Sequence, residues 1–286
     1  MKYVITFALF AGLLLLHGPM AHAQPLQLPA IEVVPMKDSG TDRQYELYVK
    51  LPEDYDAQPN RKYPVIYYTD ALWHVEMLSA STAFLMEDAI IVGISWQLNI
   101  DPALKKERGQ HVSRFRDYSI RESSNPERQA KYQLGQASQH LEFIRTDVIQ
   151  YVERQYRADP EKRTYFGYSL GGLFGAYILM AQPNTFNNYI LGSPSLRGDM
   201  EQLSKLSSTN MTLGREINAN VFVTYGSEED ELGKHIEEFI TLLKRRNDDS
   251  LLLKHAVIAG DHGGAFPLTA VTSVTWLSKL YKGQEE

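Results

Sequence analysis

Apolar residues come first as one block and then as short alternating runs. Val4 to Leu16 is almost unbroken, after Lys2 and before Gly18, Pro19 and Ala21-His22-Ala23. A positive start, an apolar stretch and a small-x-small site have the form of a secretory signal, here cut after Ala23. The run is shorter than the roughly 20 residues that span a bilayer, which weighs against the alternative of an uncleaved anchor. Beyond it, Tyr45 to Leu51 alternates as a half-buried strand does and stops at Pro52. Val65 to Thr69 and Ala89 to Ser95 are continuous β-prone runs, the form of strands covered on both faces.

From Gln97 to Gln139 the chain turns polar and charged, an irregular excursion or small cap long enough to serve function. Leu141, Ile144, Val148, Val152 and Tyr156 then recur at helical spacing and end near Ala158-Asp159-Pro160. A short strand is expected at Thr164 to Phe166, and a helix apolar nearly all round at Leu173 to Ala181. Strands at Tyr189 to Leu191, Val221 to Tyr225 and His255 to Ala259 follow. Helices marked by Leu232, Ile236, Phe239 and Leu243, and by Leu268, Val271, Val274 and Leu277, complete the series. Strand alternating with helix predicts an α/β domain with a mostly parallel sheet and helices on both faces. No repeat or linker divides residues 24–286, so one domain is expected after a signal peptide at 1–23.

Composition narrows the chemistry. The 286 residues carry a net charge of −6, so nucleic acid and an anionic membrane surface are not the expected partners. The absence of cysteine removes disulfides, thiolate catalysis and Cys-based zinc sites together.

One motif carries chemistry. Gly167-Tyr168-Ser169-Leu170-Gly171-Gly172 reads G-x-S-x-G between a short strand and a buried helix. In that setting the serine is forced outward on a tight turn. Gly167 and Gly171 remove side chains where strand and helix crowd together, and Gly172 lets the helix approach the sheet. The Leu170 N–H, at the helix start, can face a developing oxyanion. A serine nucleophile needs a base and an orienting acid, in the chain order Ser, acid, His. Three histidines follow Ser169. His235 falls within a helix and His255 within a strand, whereas His262 stands in the loop Gly260 to Gly264 after the last strand, where a general base belongs. The acid is expected after Val221 to Tyr225, where Glu228, Glu229, Asp230 and Glu231 stand together and spacing alone leaves the choice open.

The run Arg145 to Phe174 and the segment Phe186 to Leu196 resemble the putative-esterase family of α/β-hydrolases, which includes the siderophore esterases. Lys62 to Val75 is similar to its Y-P-V-x-Y-x-x-D-G segment, and Ser113 to Ser119 to its R-x-R-D-Y-x-P segment. The resemblance spans roughly Val33 to Leu280. It implies an α/β-hydrolase fold, Ser169 as nucleophile, His262 as base, Glu229 as acid by the G-x-x-E spacing from Gly226, and the Leu72 N–H as a second oxyanion donor. Ala71 departs from the family's usual glycine, and a positive φ there would strain it. Trp96 and Arg114 are candidates for the acyl or leaving-group pocket, and Arg114, Arg116 and Arg121 for a basic one.

The expected activity is hydrolysis of a small-molecule carboxylic ester, with a siderophore ester as the candidate the resemblance suggests, through an acyl-enzyme, with no cofactor and no metal, in a secreted or periplasmic protein. Alternatives are an exported acyltransferase and a non-catalytic binding protein that kept the fold.

Overall fold

The structure is a computed structural model that describes residues 31–283. The signal segment expected at residues 1–23 lies outside the described residues. An eight-stranded sheet runs β1-β2-β4-β3-β5-β6-β7-β8. The strands are β1 Ile31–Lys37, β2 Gln44–Lys50, β3 Tyr63–Tyr68, β4 Ile90–Ile94, β5 Ala158–Tyr168, β6 Asn188–Gly192, β7 Ala219–Gly226 and β8 Leu251–Ile258. β2 pairs antiparallel with both β1 and β4, and every other pairing is parallel. β3 to β6 include the continuous apolar runs, because helices cover both of their faces.

The helices are α1 Ala71–Leu85, α2 Pro102–Arg108, α3 Arg114–Asp117, α4 Pro126–Tyr132, α5 Ala137–Phe143, α6 Ile149–Gln155, α7 Leu170–Ala181, α8 Met200–Thr212, α9 Asp230–Arg245 and α10 Ala265–Tyr281. α1 and α10 pack Leu78, Val274 and Trp276 on one face of the sheet, against Phe166 and Phe222. The other face meets α5 to α9 through Leu141, Val152, Phe174, Leu203 and Phe239. The segment expected as an excursion or small cap holds the short helices α2 to α4, with a 3₁₀ turn at Gln110–Ser113 leading into α3 and an irregular stretch between α3 and α4.

β1 and α8 occupy segments where no element was expected, and three further expectations shift. β5 begins at Ala158 rather than Thr164, but its pairing with β3 breaks between Tyr63 and Val65, so the residues around Pro160 bow out and the ladder resumes at Arg163. Proline is tolerated in such an irregularity because no ladder N–H is required of it. β8 spans Leu251–Ile258 rather than His255 to Ala259; it is an edge strand with a mostly exposed pattern, and His255 is exposed on it. α1 occupies a segment where no helix was expected. Its buried stripe is Ala71, His74, Leu78, Ser81 and Thr82, and three polar members hide the helical period.

Candidate active site

The C-terminal ends of β5, β7 and β8 meet at one place. β5 ends at Tyr168, and Ser169 follows with φ 57° and ψ −117°, a conformation that L-residues rarely adopt and that turns the side chain off the sheet. The turn closes this tightly because two glycines line it. A Cβ on Gly167 would lie 2.3 Å from the Gly171 carbonyl oxygen, and one on Gly171 would lie 2.4 Å from Thr69 Oγ1. The Ser169 N–H donates to the Gly192 carbonyl at 2.9 Å, and the Ser169 carbonyl accepts from Leu173 at 3.0 Å and Ser195 at 3.0 Å.

Beyond β8, the loop Gly260 to Gly264 lifts His262 over that serine. The Asp261 carboxylate accepts from the Gly264 N–H at 2.7 Å, and the Asp261 carbonyl from the Ala265 N–H at 2.9 Å, so the loop feeds directly into α10. His262 Nε2 stands 2.9 Å from Ser169 Oγ. Its Nδ1 meets Glu229 Oε1. An ionised carboxylate only accepts, so Nδ1 carries the proton and Nε2 is left free to accept from the serine hydroxyl. The His262 side chain is 45 % exposed and that of Glu229 only 4 %.

Glu229 is the one residue of the acidic cluster directed inward. Glu228 and Asp230 on either side are exposed, so the structure brings Glu229 and not its neighbours to the imidazole. Its second oxygen accepts from Ser193 Oγ at 2.7 Å and from the Gly226 N–H. The acid loop and the histidine loop are laced together by Ser227 N–H to the Ile258 carbonyl at 2.7 Å and Glu228 N–H to the Gly260 carbonyl at 3.1 Å. Tyr168 braces the assembly: its hydroxyl donates to the His262 carbonyl at 2.7 Å and lies 3.0 Å from Ser193 Oγ. Burial, with the nearby Glu229 charge, pushes the Tyr168 phenol up to about 12, so it stays a neutral donor.

Leu170 is the first residue of α7 and Leu72 the second of α1. Backbone N–H groups in the first turn of a helix have no carbonyl within that helix to bond. The positive φ expected near Ala71 falls on Asp70 instead, at 57°, and Ala71 begins the helix without strain.

Sequence reasoning missed Ser193 and Ser195. Ser193 is fully buried and clamps the acid; Ser195 Oγ lies 3.2 Å from Ser169 Oγ. Their one signal was position, directly beyond the end of β6 beside the elbow. Two of the three arginines expected at a pocket, Arg114 and Arg116, are buried against Asp70 and Asp117, whereas Arg121 pairs with Asp199 and keeps a half-exposed side chain. Trp96 likewise turns its indole N–H to Asp70 rather than into a pocket. His235 sits on α9 beside Glu238, away from the serine.

A row of rings leads away from Leu72. Trp73 lies 4.8 Å from Trp96 and 4.9 Å from His111, His111 lies 6.1 Å from Phe115, and Phe115 lies 6.5 Å from Tyr132. Phe115 and Tyr132 line a cavity of about 550 Å³ among the short helices, together with Arg108, Arg128, Lys131, Glu107 and Glu127. Among the described residues no helix is long and apolar enough to cross a membrane.

A mostly parallel sheet with helices on both faces and a serine on a strained strand-to-helix turn define the class: an α/β-hydrolase-fold ester hydrolase of the serine type. Residues 39–247 match the model of the family described as putative esterase, and the chain belongs to that family. His262 lies beyond the matched segment. The chain is 28 % identical over 217 residues to the ferri-bacillibactin esterase BesA of Bacillus subtilis (strain 168), covering 71 % of this chain and 72 % of that protein. The crystal structure of the BES protein from Bacillus cereus superposes with a TM-score of 0.77 at 23 % identity, over 91 % of this chain and 99 % of the other. The siderophore hydrolase EstB from Aspergillus nidulans gives 0.72 at 20 % identity, over 89 % and 97 %.

Proposed function

We propose that this protein hydrolyses carboxylic esters through an acyl-enzyme, with Ser169 as nucleophile, His262 as general base and acid, and Glu229 as the residue that orients the imidazole. The observation that carries the reading is the linear array Ser169 Oγ, His262 Nε2, His262 Nδ1, Glu229 Oε1, with the serine contact at 2.9 Å.

In the first half-reaction the Ser169 proton passes to His262 Nε2 as Oγ bonds to the ester carbonyl carbon. The carbonyl π electrons move onto oxygen, where the Leu170 and Leu72 amides receive the charge. A donor of this kind is worth about 3 kcal/mol in the transition state. Collapse breaks the bond to the leaving alcohol, which departs with the proton from Nε2. Water then repeats the sequence: His262 takes its proton, hydroxide adds to the acyl carbon, and the Ser169 oxygen leaves with the proton returned. Glu229, held by three donors, fixes the imidazole and balances the imidazolium in both halves.

The substrate is proposed to be a siderophore ester. BesA and EstB bear that activity in their names, and the cavity among the short helices sets Phe115 and Tyr132 beside three cations, Arg108, Arg128 and Lys131, against two carboxylates, Glu107 and Glu127, a ring-lined and net positive lining that suits an aromatic, anionic arm. The wider groove between α8 and α9, about 860 Å³, fits such a ligand less well, since five carboxylates, Glu201, Glu229, Asp230, Glu237 and Glu238, face two cations, Lys234 and Arg245, there. The N-terminal segment supports export, which would place the hydrolase in the periplasm or outside the cell. The test is a panel of p-nitrophenyl acetate, butyrate and octanoate with a catecholate trilactone, with and without iron, on wild type and Ser169→Ala. Rapid trilactone cleavage beside slow p-nitrophenyl turnover is the expected result. Preference for the simple acyl esters would refute the siderophore assignment, and activity surviving in Ser169→Ala would refute the nucleophile.

A further inference from the structure

The turn from β3 into α1 holds a charge that a helix start does not require. An aspartate at an N-cap ordinarily turns its carboxylate back to an amide of the first turn. Asp70 makes no such bond. Its carboxylate instead takes Arg114 Nε on Oδ1 at 2.9 Å and Arg114 Nη2 on Oδ2 at 2.8 Å, a two-pronged pair, and Trp96 Nε1 on Oδ1 at 2.6 Å. Asp70 is 0 % exposed, and Arg114 and Trp96 are buried with it. The backbone is left-handed there, at φ 57° and ψ 45°. Asp70 Oδ2 also lies 3.4 Å from the position a Cβ on Gly171 would take, so the carboxylate packs against the start of α7. The same guanidinium lies 5.1 Å from the centre of the Trp73 ring, next along the chain from Leu72.

We propose that Asp70, clamped by Arg114 and Trp96, is the positioning residue of the oxyanion hole: it fixes the left-handed turn that presents the Leu72 N–H beside Ser169, and Arg114 cancels its charge so that no net negative charge opposes the oxyanion. The inference rests on the reading of Ser169 as nucleophile and Leu72 as donor. Its physical basis is preorganisation. A donor helps the transition state only if it already points where the charge will form, and a free amide on an unsupported turn would have to be ordered during the reaction. A bidentate guanidinium–carboxylate pair is the most directional charged contact available for holding such a turn. Without Arg114, the buried carboxylate would stand uncompensated close to the growing negative charge. A device of this kind acts in the transition state and little in the ground state, so it is read in kcat rather than in KM.

The experiment compares Asp70→Asn, Arg114→Gln, Trp96→Phe and Ser169→Ala with wild type on p-nitrophenyl butyrate. It adds the affinity of each for an alkyl boronic acid, whose tetrahedral adduct places an oxygen in the hole, and a thermal melt. Asn tolerates the left-handed conformation, so Asp70→Asn keeps the turn accessible while removing the charged clamp. Loss of one oxyanion donor costs about 10²–10³-fold, which bounds the effects. Arg114→Gln is expected to lower kcat by about 10²-fold, Asp70→Asn by about tenfold and Trp96→Phe by about threefold, each with KM within about twofold and boronate affinity falling in parallel with kcat. If Arg114→Gln does not fold, Asp70→Asn and Trp96→Phe decide. Folded variants with wild-type kcat and boronate affinity, or losses that appear in KM alone, would overturn the proposal. Activity retained by Ser169→Ala would instead sink the reading on which it rests.

Discussion

On one side of Ser169 stands His262, half exposed on a loop, with a buried acid behind it. On the other side, beneath the cap, charges are sealed: Asp70 with Arg114, Asp117 with Arg116, and His140 inside a box formed by Tyr45, Tyr118, Phe143 and Phe174. Both regions are rich in titratable groups, yet only the first is arranged for a proton to travel. There a base with one free ring nitrogen faces a hydroxyl and solvent. In the second region every carboxylate named is matched by a guanidinium, and the histidine is fully enclosed. Burial with fixed partners suits groups that must hold geometry, and partial exposure suits a group that must take up and release a proton at each half-reaction.

Several variants would sharpen or break this contrast. Ser169→Ala is expected to lower kcat by at least about 10⁴-fold while leaving the thermal midpoint within about 2 °C, measured by ester hydrolysis and calorimetry. Glu229→Gln keeps the shape but not the charge behind His262, and kcat should fall by roughly 10³–10⁴-fold; a loss below tenfold would mean the acid is not part of the proton-moving side.

The third test lies in the sealed region. Burial holds His140 down to about 4, from an ordinary value near 6.5. Below pH about 6.5 the unfolded chain binds a proton that the native state refuses. Stability from this group is therefore complete above about pH 6.5 and is lost as pH falls towards about 4. The loss between about pH 7.5 and about pH 5 is roughly 2 kcal/mol by linkage. Urea melts at the two pH values should show His140→Phe falling less than wild type, with activity near neutral pH unchanged.

Smaller effects return to the exposed side. Ser193→Ala removes a hydroxyl that donates to the buried Glu229 carboxylate, a bond worth on the order of 1–2 kcal/mol, so kcat should drop about tenfold. Ser195→Ala should cost only about threefold. On the proposed mechanism the Ser169 hydrogen points to His262, so the Ser195 hydroxyl, 3.2 Å away, is left to donate to Ser169 Oγ without carrying a proton in either half-reaction.

The sequence exposed the first region far better than the second. Ser169 announced itself through glycines whose absent side chains the turn requires, and His262 through its place after the last strand. Glu229 needed the family spacing, because four adjacent carboxylates look alike until folding buries one of them. The sealed side was opaque for a different reason. Arg114 and Asp70 are 44 positions apart and Trp96 lies between, so nothing local links a polar segment to a helix start. α1 was hidden by the serine, threonine and histidine in its buried stripe, and α8 by Ser207 and Asn210 in its own. Hydrophobic periodicity finds helices that bury hydrocarbon and passes over those that bury satisfied polar groups.

The most direct test of the account is to find which atom becomes acylated or phosphonylated. Wild type and Ser169→Ala would be treated with a fluorophosphonate, weighed intact and digested. One adduct per wild-type chain is expected, on the peptide that contains Ser169, and none on the alanine variant. An adduct on another residue, or an unlabelled wild type that still cleaves esters, would contradict it.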